Sequence, residues 1–121
     1  MNGNGFVSLL LSEIPTLMPD VYEHDGLLHC QMHVFARYTQ SAIDSRDMQT
    51  LDRCFALAHR GFVNADSDLK NAFYVSYLEH LNFPGMHGAS AKDRMTPLLQ
   101  SSYTEIMDYM EQLYQSSKKR K

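Results

Sequence analysis

Apolar positions recur at intervals of three and four from residue 6 to residue 114, and they never alternate strictly over a strand-length run between turn signals. That period predicts helices and no sheet. A first helix is read over 6–13, ending before Pro15, because a residue that precedes proline avoids the helical region. A short helical turn over 16–24 starts near Pro19 and ends at Asp25-Gly26. The next helix, over 27–44, places Leu28, Met32, Phe35, Thr39 and Ala42 on one side. Asp47 is the expected N-cap of a helix over 47–63, striped by Met48, Leu51, Phe55, Ala58 and Phe62. Within it Gly61 marks a weakened last turn or a close approach.

Asn64-Ala65-Asp66-Ser67 closes that helix and caps another over 67–82, where Leu69, Phe73, Tyr77 and Leu81 recur every four residues. Asn82 to Gly88 reads as the one long irregular loop. Ser90 then caps a short helix that ends or bends at Pro97. The last helix, over 101–117, carries Tyr103, Ile106, Met107, Met110, Leu113 and Tyr114 on one stripe, with Glu105, Asp108, Glu111 and Gln112 on the other side. Short connections make the helices over 27–44, 47–63 and 67–82 antiparallel neighbours. The expected fold is therefore all-α: an antiparallel bundle of five or six helices, forming one domain over 6–117. A flexible lead, 1–5, precedes it and a basic tail, 118–121, follows. Leu28, Phe35, Phe55, Phe62, Phe73, Tyr77, Ile106 and Met110 should be buried.

The 121 residues suffice for one such domain. A chain of this mass should expose roughly 6,700 Å² folded against roughly 20,000 Å² unfolded, enough burial for a core without disulfides or a structural metal. No apolar run approaches the ~18 residues of a membrane span. Residues 6–11 lack a preceding positive region and a following cleavage site, so no signal peptide is read and a cytoplasmic chain is expected.

Charge changes the picture more than size does. Eleven Lys/Arg and fourteen Asp/Glu give −3, but without Lys118-Lys119-Arg120-Lys121 the balance is −7. An acidic body disfavours nucleic acid and favours basic partners. The basic run is plainly accounted for as a solvated end, where cations suit a helix C-terminus. No helix combines a Lys/Arg face with interleaved aromatics, and no phosphate-binding glycine loop, nucleophile elbow or EF-hand loop is present.

The sharpest chemical candidate is His29-Cys30-Gln31-Met32-His33. Histidines at i and i+4 on a helix can share one metal ion, as in HExxH motifs. Here Cys30 stands where the water-activating glutamate would be, and a third ligand would have to come from His59 or His80. The plainer reading is two histidines at the edge of the apolar stripe. Cys30 and Cys54 belong to no CxxC motif and are read as reduced, buried, hydrophobe-like thiols. Among the methionines and tyrosines, Met86, Met95, Tyr74 and Tyr109 fit the core stripes least well and are candidates for surface recognition.

Two stretches carry a family likeness. One is Leu27-Leu28-His29 followed by Val34-Phe35-Ala36-Arg37-Tyr38; the other is Tyr74 to Leu81, Tyr-Val-Ser-Tyr-Leu-Glu-His-Leu, followed by Pro84-Gly85. Over roughly residues 6–113 the chain resembles a family of small bacterial helical domains of unknown function. Members look like stand-alone cytoplasmic proteins, and some resemble immunity proteins against polymorphic toxins. The resemblance brings no catalytic residues. The chain departs from the pattern at Cys30 and in its basic tail.

The expected function is a non-enzymatic protein-binding module, an immunity protein that neutralises a basic toxin through an acidic surface. The candidate partner-binding residues are Glu23 and Asp25, Asp66 and Asp68, and Glu105, Asp108 and Glu111. No cofactor, nucleic acid or membrane partner is expected, and the oligomeric state is left open. The alternatives are a metal-dependent helical enzyme using His29 and His33, and a general helical scaffold or regulatory module.

Overall fold

The computed structural model describes residues 1–119, with side chains to 117. Of the expected basic tail, Arg120 and Lys121 lie outside the described residues, and Lys118 and Lys119 are described only as helical backbone. The architecture is all-α, and among the described residues there is no strand. Seven α-helices follow one another: α1 (Gly3–Glu13), α2 (Met18–Glu23), α3 (Leu28–Ser45), α4 (Met48–Val63), α5 (Ser67–Ala72), α6 (Gly85–Lys92) and α7 (Pro97–Lys119). A 3₁₀ turn, Pro15–Leu17, leads into α2. Beyond α5 the same helical run continues as a π turn, Phe73–Tyr77, and a 3₁₀ turn, Leu78–His80.

Several boundaries move from where periodicity put them, each for a local reason. α1 starts at Gly3, inside the expected flexible lead, because the Asn2 side chain accepts from the Gly5 N–H at 2.8 Å and caps it. The Met1 carbonyl accepts from the Asp66 N–H at 2.8 Å, and the Met1 nitrogen bonds the Asn64 carbonyl. The lead is therefore tied to the α4–α5 turn. Most of the expected 82–88 loop is helical, since α6 begins at Gly85 and not at a Ser90 cap. Gly88 allows this: a Cβ there would stand 2.3 Å from the Phe83 carbonyl carbon. Pro97 opens α7 and ends nothing. Its missing N–H falls among the unpaired donors of a first turn, and the Thr96 hydroxyl accepts from the Leu99 N–H at 3.4 Å.

The π turn has a cause in the spacing. Residues four apart drift by roughly 40° per step on a helix of 3.6 residues per turn. Leu69, Phe73, Tyr77 and Leu81 would thus spiral off one face. The wider π turn takes back that drift, and all four side chains are buried.

The core is aromatic at its centre. Phe6 of α1 meets Phe73 edge-on at 4.9 Å, Phe35 of α3 stacks on Tyr77 at 4.6 Å, and Phe62 of α4 meets Phe73 at 5.6 Å. Gly61 makes room for them: a Cβ there would lie 2.4 Å from the Phe6 ring and 2.9 Å from that of Phe73. Phe35, Phe55, Phe62, Phe73, Tyr77 and Ile106 are buried as expected. Leu28 is half-buried. Met110 is a correction: it is 37% exposed, because α7 outlasts the body it packs on.

Candidate functional site

α3 carries His29 and His33 one turn apart, on the same face. The two rings do not converge on a common point. His29 Nδ1 lies 2.6 Å from the Ser76 hydroxyl, which the π turn brings up to α3. His33 packs against His80 with ring centroids 4.7 Å apart. Partial burial of the ring, then the neighbouring His80 and Arg37, hold the His33 imidazole below its usual range, although the residue as a whole is exposed. His59, the other candidate third ligand, is occupied elsewhere, with Nδ1 2.8 Å from the Thr96 hydroxyl. Among the described residues no three His, Cys, Asp or Glu side chains are grouped to hold a metal ion.

The two cysteines are free thiols with different surroundings. Cys54 is buried, and burial pushes its thiol up to about 11, away from the thiolate form that nucleophilic chemistry needs. Cys30 is exposed, which corrects the expectation of two buried thiols. Of the methionines set aside for recognition, Met95 is buried whereas Met86 is 89% exposed.

The acidic candidates separate by what they already bond. Asp66 is the N-cap of α5, accepting from the Leu69 N–H at 2.9 Å, and Asp68 lies exposed in that helix's first turn, where the macrodipole favours it. Glu105 accepts from the Tyr74 hydroxyl at 3.1 Å, and Glu111 from Gln115 Nε2 at 3.1 Å. Asp108 is exposed on the same outer arc of α7. Glu13 and Asp52, outside the candidate set, pair with Arg60 at 3.7 Å and with Arg94 at 2.7 Å.

Around α2 the pattern differs. Among the described residues, the carboxylates of Asp20, Glu23 and Asp25 carry neither a hydrogen bond nor an ion pair. Asp20 and Glu23 line an open depression of about 580 Å³, together with Leu17, His24, Arg37 and Tyr38. The same short segment exposes Met18, Tyr22 at 58% and Leu27 at 57%. Sequence reasoning found Glu23 and Asp25 but missed Asp20, although its position one turn before Glu23 was a legible signal.

A second depression, about 440 Å³, lies between the π turn and α7, lined by Asn71, Tyr74, Val75, Glu105, Ile106 and Tyr109. Beyond it the distal half of α7 exposes Tyr109, Met110, Leu113 and Tyr114.

These features define an all-α domain with an aromatic core and two separate exposed faces. Among the described residues no helix is long and apolar enough to cross a membrane. The chain belongs to the family described as "Domain of unknown function (DUF7674)", whose model matches residues 7–111. Both stretches that carry the sequence resemblance fall inside that match. No curated protein and no solved structure matches the chain at a significant level.

Proposed function

We propose that this domain is a non-enzymatic protein-binding module that engages a basic protein partner through the α2 segment, and we put a basic toxin first among partners of that chemistry. One observation carries the reading. Asp20, Glu23 and Asp25 have unengaged carboxylates among the described residues, and two of them line a depression beside exposed Met18, Tyr22 and Leu27. Tyr and Met are suited to protein interfaces, since both offer apolar area that adapts to a partner. Two acids, Asp20 and Glu23, line the depression against Arg37, the one Lys or Arg there. An acidic body adds to association rate by steering a basic partner inward. The Asp66–Asp68 and Glu105–Glu111 groups support the reading less, because Asp66 and Glu105 already accept hydrogen bonds within the fold.

The test is capture of the partner from the native host by the full chain, followed by kinetics with the purified pair. Reversal of Asp20, Glu23 and Asp25 to lysine should slow association and abolish capture while leaving the melting temperature nearly unchanged. Association should also slow as salt rises, since charges beyond about 8 Å are screened at physiological ionic strength. Binding indifferent both to the reversal and to salt would overturn the assignment.

A further inference from the structure

Two tyrosines that fit no core stripe meet in one groove. Tyr74 of the π turn and Tyr109 of α7 both line the depression of about 440 Å³. Glu105 and Tyr109 are four residues apart on α7, so they stand one turn apart on one face. Tyr109 is 56% exposed and Val75, which also lines the groove, is 40% exposed. The groove therefore offers aromatic and apolar area to solvent.

Glu105 is the one charged residue that lines it. The Tyr74 hydroxyl donates to Glu105 Oε2 at 3.1 Å. Burial above all holds that hydroxyl above its usual range, so it stays protonated and goes on donating at neutral pH. The bond fixes the carboxylate beside the rings without neutralising it. Among the described residues Glu105 takes part in no ion pair. Lys70, one turn before Tyr74, is placed over the Phe62 ring at 5.9 Å instead.

These contents select the occupant. An anion would meet a carboxylate and no cation. A purely apolar partner would strip water from Glu105 and leave its charge with a phenol alone, a loss that a small apolar contact does not offset. A cation suits both the carboxylate and the rings. Between the two cationic side chains arginine fits better. Its guanidinium is planar and weakly hydrated, stacks on aromatic rings and can bond a carboxylate through two N–H groups. Apolar residues that flank such an arginine can pack on Val75 and Tyr109, area that a free guanidinium compound would leave bare.

We propose that the groove between the π turn and α7 binds an arginine side chain of a partner protein, with the guanidinium on Glu105 and against the Tyr74 and Tyr109 rings. The two depressions share no lining residue, so this site is independent of the α2 reading.

The experiment is an NMR titration of the full chain, read on the ring signals of Tyr74 and Tyr109, with circular dichroism as the control for folding. The probe is the capped pentapeptide acetyl-Ala-Leu-Arg-Leu-Ala-amide. It should shift both rings saturably, with a Kd on the order of 1 mM. The same peptide with citrulline for arginine keeps the shape and loses the charge, and it should bind about tenfold more weakly. Free arginine should also bind more weakly, since it lacks the flanking apolar residues. Glu105→Gln keeps an oxygen to accept from Tyr74 and should weaken the peptide about fivefold. Tyr109→Ala should weaken it about twofold or more. Asp44→Asn with Asp93→Asn, which neutralises two exposed acids outside the groove, should leave the affinity unchanged. No saturable shift up to about ten times the expected Kd, a citrulline peptide or free arginine that binds as tightly, indifference to Glu105→Gln, or an equal loss in the Asp44 and Asp93 variant would each overturn the proposal.

Discussion

The π turn and the distal half of α7 carry the same kind of pattern and meet opposite fates. In the π turn, Phe73 and Tyr77 recur at helical spacing and are completely buried between α1, α3 and α4. On α7, Met110, Leu113 and Tyr114 recur at helical spacing and are largely exposed. Periodicity states which face of a helix is apolar. It does not state what covers that face. α1, α3 and α4 close over Phe73 and Tyr77, whereas the distal half of α7 runs on past the body. A stripe inside the bundle reports stability, whereas exposed positions beyond it contribute little to it.

The sharpest way to break this contrast is to truncate on the covered side. Phe73→Ala removes the ring that Phe6, Phe62 and Tyr77 all contact, and it should cost about 3–5 kcal/mol in denaturant unfolding. That is a large share of the ~5–15 kcal/mol that holds a domain together. Overfilling the same centre should hurt less but clearly. Gly61→Ala forces a methyl to 2.4 Å from the Phe6 ring, and a cost of about 1–3 kcal/mol is expected. The exposed pair Leu113 and Tyr114 supplies the counterpart, with stability changes within about 0.5 kcal/mol for surface substitutions. If Phe73→Ala proved as mild as those, the contrast between the two stripes would collapse.

Polar satisfaction at the centre gives a finer measure. The Thr39 hydroxyl donates to the Phe35 carbonyl at 2.9 Å, so the contact at 3.0 Å between Thr39 and Tyr77 must have the tyrosine hydroxyl as its donor. Thr39→Val orphans a fully buried donor and should cost about 1–3 kcal/mol. Tyr77→Phe only removes that donor from Thr39, with a cost of about 0.5–1.5 kcal/mol. Paired chemical denaturation curves read both. Tyr77→Phe costing more than Thr39→Val would reverse the assigned direction of the bond.

Much of this was legible from residue spacing. The helical class, the stripe of Phe55 and Phe62 and the Asp47 and Asp66 caps all follow from local rules that tertiary contacts reinforce. At Gly61, by contrast, sequence left a weakened turn or a close approach open, and the Phe6 and Phe73 rings decide for the second. The misses share a cause: each depends on contacts between distant residues. Gly3-Asn4-Gly5 reads as flexible until Asn2 is seen capping it and Met1 bonding the α4–α5 turn. Gly88 reads as loop because nothing in sequence says the Phe83 backbone lies against it. Among the acids, sequence marks where carboxylates stand but not which are already engaged. Asp66 and Glu105 were therefore indistinguishable from Glu23. The histidines follow the same logic, since i and i+4 spacing promised a shared ligand and the fold gave His29 to Ser76 and His33 to His80.

That His33–His80 contact supplies the smallest expected effect, at the edge between the covered and uncovered parts of α3. Burial, His80 and Arg37 all push the His33 imidazole below its usual range. The unfolded chain, with a value near 6.5, therefore binds more protons than the folded chain just below that pH. Stability from this site is complete above about pH 6.5 and is lost as pH falls toward the depressed folded value. His33 is exposed, so solvent screens the effect and the slope should be shallow. Melting temperatures between about pH 5 and 7.5, above the range of ordinary carboxylates, should fall less on acidification in His33→Gln than in the native chain. NMR titration isolates the neighbour's share: His80→Gln should move the His33 midpoint upward, but only partway, because burial is the larger cause and remains. A His33 midpoint that ignores His80→Gln would show that the ring contact has no electrostatic consequence. The pair would then be simple packing at the border of the core.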